Sequence, residues 1–145
     1  MRLALLIPLF VTAPSVAMQQ AVSPAELCAH SPLVVEAEIT GHQGMWNDSL
    51  IETHHDLHVH RVFKGELTED SITVVVPGGT ASGVTLAISE SPSLRNDHRY
   101  LLLLTTRPDG AWTVSGGPQG VFALTGAEAV SMDVLRTSLE ACHVR

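Results

Sequence analysis

The chain is short of positive charge, of cysteine and of long apolar runs, and each shortage removes a class of function. Its 145 residues hold 8 Lys and Arg against 15 Asp and Glu, a formal charge of −7, and Lys64 is the single lysine. Nucleic-acid binders draw most of their affinity from basic contacts to phosphate, so no nucleic-acid partner is expected. No polybasic cluster is present for anionic lipid either. The longest apolar stretches are residues 3–11, interrupted by Pro8, and Leu101 to Leu104. Both fall well short of the roughly 20 residues that span a bilayer, so no stable membrane span is expected. Enzyme signatures are lacking too: there is no Gly-x-Ser-x-Gly elbow, phosphate loop or dinucleotide fingerprint. Glu36 and Glu38 share a strand face, but outward polarity accounts for them without acid–base chemistry. The expectation is a protein that is not an enzyme and needs no cofactor.

The N-terminus has the make-up of a secretory signal. Arg2 supplies the positive start, residues 3–11 the apolar centre, and Ser15-Val16-Ala17 the small residues before a cleavage point after Ala17. Removing residues 1–17 takes away Arg2 alone and leaves 7 basic against 15 acidic residues, a formal charge of −8. Residues 18–145 then form one domain of ordinary size, able to bury a core. Export gives the two cysteines a context. In an oxidising compartment Cys28 and Cys142 read most simply as one disulfide near the two ends of the mature chain. Closing so long a loop contributes several kcal/mol on the chain-entropy account. Two buried thiols or an intermolecular bridge are the alternatives.

Between the cysteines the chain is punctuated for short strands. A small helix starts at Ser23-Pro24-Ala25-Glu26, with a capping serine, a proline at the first helical position and a glutamate placed for a capping box; Ser31-Pro32 stops it. Alternation predicts strands at 33–39, 51–63, 71–76, 84–88, 99–106, 112–114 and 119–124. Residues 41–49 read as a polar loop carrying Trp46, and Pro77-Gly78-Gly79 ends one ladder. A last helix is predicted at 132–141 behind Ser131, with Met132, Leu135, Leu139 and Cys142 on one stripe. Leu102, Leu104, Val59 and Val75 are the expected barrel core. Several short strands with two flanking helices argue for an all-β fold, a small OB-like barrel of five to seven antiparallel strands with short N- and C-terminal helices.

Ser31-Pro32-Leu33-Val34-Val35, Val62-Phe63-Lys64-Gly65, Pro77-Gly78-Gly79, Tyr100 to Leu104 and Gln119-Gly120-Val121-Phe122 follow one another in this order. The skeleton resembles small secreted bacterial domains of the netrin-like, tissue-inhibitor-of-metalloproteinase-like kind, over about two thirds of the mature chain. The resemblance implies an OB-type barrel that binds another protein. The animal inhibitors reach the protease zinc through an N-terminal Cys-x-Cys. Here the mature start would be Met18-Gln19-Gln20, so that mechanism does not carry over.

The remaining signal is His54-His55-Asp56-Leu57-His58-Val59-His60. On a strand, His54, Asp56, His58 and His60 share one face, and Thr53, His55, Leu57, Val59 and Arg61 the other. Leu57 and Val59 mark the second face as inward. The first aligns three imidazoles that could serve Zn²⁺ or Cu²⁺, with His42 a further ligand. Polar-out patterning alone produces the same face, and ligands in a line do not make a tetrahedron. Histidines in a row also suit a pH response. The first reading is therefore a secreted or periplasmic protein-binding module, an inhibitor or accessory factor of a secreted (metallo)protease, with Trp46, His42 and Trp112 as candidate contact residues. The alternative is an extracytoplasmic Zn or Cu protein using His54, His58 and His60.

Overall fold

The computed structural model describes residues 21–142, so the signal segment expected at 1–17 lies outside the described residues. Helix α1 (Pro24–Ala29) opens as its sequence directs. The Ser23 hydroxyl accepts from the Glu26 amide at 3.2 Å, and the Glu26 carboxylate accepts from the Ser23 amide at 3.3 Å, with Pro24 in the first turn. Helix α2 (Met132–Ala141) starts behind Ser131, whose hydroxyl accepts from the Val134 amide. Cys28 on α1 and Cys142, which caps α2, form a disulfide with Cα atoms 5.0 Å apart.

Eight strands lie between the helices. β1 (Leu33–Asn47) and β2 (Leu50–Lys64) are each fifteen residues long and antiparallel. β3 (Ser71–Pro77) follows, and then the small separate pair β4 (Gly79–Ala81) and β5 (Val84–Leu86). β6 (Arg99–Thr106), β7 (Trp112–Val114) and β8 (Val121–Ala123) complete the set, with a single 3₁₀ turn at Gly117–Gly120 before β8. The main sheet runs β1-β2-β3-β7-β6-β8, and β1 also pairs with β6, from Leu33 opposite Leu104 to Glu38 opposite Arg99. That pairing closes five strands into a ring. β8 occupies the stretch of the β6 edge that β7 leaves uncovered. The fold is the all-β barrel with short helices that the sequence indicates.

Three features differ from expectation. The barrel is mixed rather than wholly antiparallel: β7 returns beside β3 in parallel, bridged at Val74 and Trp112. Residues 41–47 are not a loop but the outer half of β1, which pairs with β2 down to a two-residue turn at Asp48-Ser49. Asp48 takes the left-handed backbone conformation (φ 53°) that such a turn needs and that Asp tolerates. Beyond the barrel this hairpin faces solvent widely, so its polarity imitated a loop. Third, β1 and β2 carry register shifts at Val34/Val35, Glu36/Ala37 and Ile39/Gly41. At the second, Val59 pairs with Ala37 and Arg61 with Glu36, leaving His60 as the extra residue of a bulge. Arg61, expected inward, is thereby turned out.

The interior cluster takes Leu33, Val35, Ala37 and Ile39 from β1, Leu57 and Val59 from β2, Val74 and Val76 from β3, and Tyr100, Leu102 and Leu104 from β6. Leu102, Leu104 and Val59 fall where expected. Val75 is buried but belongs to the opposite side of β3 from Val74 and Val76, outside that cluster. A second cluster, Leu27, Cys28, Val34, Leu101, Leu103 and Cys142, lies outside the barrel wall beneath the helices. β6 is thus buried on both faces, which is why it reads as an unbroken apolar run. Met132, the first residue of the expected α2 stripe, is instead 72% exposed.

Candidate functional site

The part of the molecule that departs most from a closed, polar-coated barrel is the end of the β1–β2 hairpin. From about residue 45 to residue 50 these strands pair only with each other, and the Ile51 carbonyl accepts from the Gly78 amide at 2.8 Å. Trp46 stands opposite Ile51, on the face that carries Gly44 and Thr53 one pair further in, while Met45 stands opposite Glu52 on the other face. Met45, Trp46 and Leu50 are large apolar side chains left open to water; Leu50 is 59% and Trp46 48% exposed.

The tip is braced from one side by a polar cluster around Glu52. Arg107 donates to the Glu52 carboxylate at 2.8 Å, Asn47 at 3.2 Å, and the His54 ring lies 2.9 Å from its other oxygen. Burial by itself would raise the Glu52 carboxyl. The hydrogen bonds from Arg107, His54 and Asn47, with the Arg107 charge, outweigh it and hold the group down at about 2. The same bond to Glu52 raises the Arg107 guanidinium, against the opposing effect of its burial. Arg107 also pairs with Asp109 at 2.9 Å, which ties the β6–β7 turn to the hairpin. On the other side, the backbone of Thr80 in β4 lies directly against Gly44, close enough that any Cβ there would collide with it.

The histidines divide into two groups. His54, His58 and His60 project outward, as their alternation implies, but each meets a different carboxylate: Glu52 at 2.9 Å, Asp70 at 3.9 Å and Glu38 at 3.4 Å. The His58 and His60 rings meet edge to face at 4.9 Å. The three candidate metal ligands do not converge, and among the described residues no three His, Cys, Asp or Glu side chains are grouped around a common metal position. The inward pair is different. His55 is 5% exposed and its Nδ1 has no hydrogen-bond partner among the described residues. Its ring lies 5.8 Å from that of His42, the residue paired with it across the hairpin. Burial first, then the His42 and His54 charges, push the His55 imidazole down to about 4, against an opposing pull from Asp56. His42 is itself exposed, and its Nδ1 lies 2.9 Å from the Asn96 side-chain oxygen. Both histidines border a polar cleft of about 450 Å³ with Thr53, Gly79 and Ser91.

Trp112 is half-buried and packs against the barrel interior, so of the two tryptophans it is Trp46 that presents most surface. No protein-family model matches the chain, and no curated protein is significantly similar to it. The geometry of the hairpin therefore carries the functional argument. Met45, Leu50 and the Glu52–Arg107 pair were not legible beforehand as site residues. The sequence reads residues 41–49 as a polar loop, and only the pairing of 41–47 with β2 makes a projecting tip of them.

Proposed function

We propose that the protein is an extracytoplasmic, non-enzymatic binding module that docks the tip of its β1–β2 hairpin onto another exported protein. One observation carries this reading: Met45 and Leu50 on one face and Trp46 on the other are all exposed at the end of a hairpin that is braced by Glu52 and Arg107. Large aromatic and apolar side chains on a pre-formed element are what the energetic centres of interfaces are made of. The Cys28–Cys142 disulfide supports an oxidising compartment, and among the described residues no helix is long and apolar enough to cross a membrane. A narrow strand pair with an apolar end fits a cleft better than a flat surface, which favours an inhibitor or accessory factor of a secreted protease, metalloproteases included. The alternative, Zn or Cu held by His54, His58 and His60, has weaker support, since each imidazole faces its own carboxylate.

The test is capture of exported proteins on the immobilised oxidised protein, followed by titration of the purified partner. Trp46→Ala with Leu50→Ala is expected to weaken that binding by about 2 kcal/mol or more, the scale of a central interface residue. Thermal unfolding should stay unchanged, because both side chains are exposed. A partner that binds the double variant as tightly as the parent protein would refute docking through the tip. Calorimetry with Zn²⁺ and Cu²⁺ separates the alternative, which requires tight 1:1 binding lost in His58→Ala.

A further inference from the structure

A groove of about 730 Å³ lies between α2 and the outer face of the barrel. Its walls include Phe63, Leu101, Leu124, Leu135 and Leu139. It exists because α2 is fastened at its C-terminal end, by the disulfide and the second apolar cluster, while its first turn stands off, with Met132 and Val134 exposed. Leu135 and Leu139 are consequently only half covered by protein. The volume is that of a small-molecule site.

Charge gives the groove a chemical preference. The described residues include five arginines, and three of them, Arg61, Arg99 and Arg136, line this groove. In a chain of formal charge −7 that is a marked concentration. Arg99 is engaged by Glu36 at 3.4 Å and Glu38 at 3.9 Å. Arg61 and Arg136 form no ion pair among the described residues. Arg61 instead lies over the Phe63 ring, 4.8 Å from its centre. It is there only because the bulge at His60 turns it away from the interior. Glu36 and Glu140 also border the groove, so the three arginines leave a net positive rim. A guanidinium with unused donors beside an apolar trough is matched by a molecule with an apolar tail and an anionic end.

From this geometry we infer a binding site for a single acyl chain carrying a terminal anion, of the fatty-carboxylate class, with its tail against Leu124, Leu135 and Leu139 and its head between Arg61 and Arg136. The site is independent of the hairpin tip and does not rest on the docking reading. Calorimetry of the oxidised protein with monomeric octanoate, decanoate, decanol and decyltrimethylammonium tests it. Decanoate should bind saturably at 1:1, about ten-fold tighter than octanoate, since each added methylene buried contributes about 0.8 kcal/mol. Arg61→Gln with Arg136→Gln should weaken decanoate about ten-fold, the scale of losing hydrogen bonds to a charged group, and leave decanol unchanged within about two-fold. Amide resonances of residues 124–139 should shift, and those of residues 45–51 should not. Four results would overturn the site: equal affinity for the anion, alcohol and cation, no gain with chain length, no effect of the arginine variants on decanoate, or association with phosphatidylglycerol vesicles without saturable binding of monomeric decanoate. Both substitutions are at exposed positions, and an unchanged unfolding temperature would confirm that any loss is not a loss of fold.

Discussion

His55 shows how one residue can set the pH range of the molecule. It sits on the inward face of β2 next to Leu57, its Nδ1 has no partner, and its imidazole is held at about 4. The ordinary value is 6.5, so on acidification the unfolded chain takes up this proton before the folded one does. Its stabilising effect is therefore complete above pH 6.5, declines as pH falls toward 4, and is gone below that. Glu52 follows at lower pH. Its carboxyl, at about 2 instead of 4.5, contributes fully above pH 4.5 and loses its contribution as pH drops through 2. Urea unfolding across this range should show stability falling in two successive windows. His55→Leu keeps the volume and removes the proton, so the first window should flatten, with the difference from the parent protein on the order of 3 kcal/mol across it. A parent and variant that fall in parallel between pH 6.5 and 4 would show that the buried imidazole is not what titrates. Glu52→Gln should abolish the second window and leave the first.

The long hairpin is the element where sequence pattern and structure part. The caps of both helices were legible, since a serine at the head of a helical pattern, backed at α1 by a glutamate three residues on, needs no tertiary context to form its bonds. β6 was legible because burial on both faces leaves an apolar run with no polar interruption. The outer half of β1 was not. Strand signals come from one face being dry, and residues 41–47 have no dry face of their own. The bulge at His60 was hidden for a related reason: alternation gives the faces but not the place where a residue is skipped, so Arg61 was assigned to the wrong one. The Glu52–Arg107 pair joins residues 55 apart, and nothing local announces it. Two glycines of this strand now make a test of how the hairpin is held. Gly44 lies against the Thr80 backbone, whereas a Cβ at Gly41 would meet only Asp56 Oδ2, at 3.8 Å. Neither has a positive φ, so only space distinguishes them. Gly44→Ala should cost about 1–3 kcal/mol by forcing β4 off the hairpin, while Gly41→Ala should stay within about 0.5 kcal/mol of the parent protein. Equal costs in denaturant unfolding would mean that β4 does not clamp the strand.

At the scale of the whole molecule the barrel carries two apolar layers on one strand. Leu102 packs inward with Val35 and Leu57, and Leu103 packs outward with Leu27, Cys28 and Cys142. Each is essentially inaccessible. Replacing either by alanine should therefore cost about 2–5 kcal/mol, and single variants cannot tell the layers apart. Their relation to the disulfide can. Reducing Cys28–Cys142 removes a constraint on the unfolded chain, worth about 2–5 kcal/mol for a native bridge. In the reduced protein the outer layer also loses the tie that holds α2 over Leu103. A side chain already deprived of that cover has less left to lose, so Leu103→Ala and reduction should be coupled by about 0.5–3 kcal/mol, the range for groups sharing partners. Leu102 shares none of those partners, and its effect should add to that of reduction within about 0.5 kcal/mol. The measurement is a double cycle of denaturant midpoints and slopes, oxidised and reduced, for the parent protein and the two variants. Coupling at Leu103 alone would establish an inner barrel that folds on its own terms, with the helices as a stapled outer layer free enough to leave the groove beside α2. Equal coupling at both leucines would make the molecule one undivided core, and the stand-off of the first turn of α2 would then need another cause.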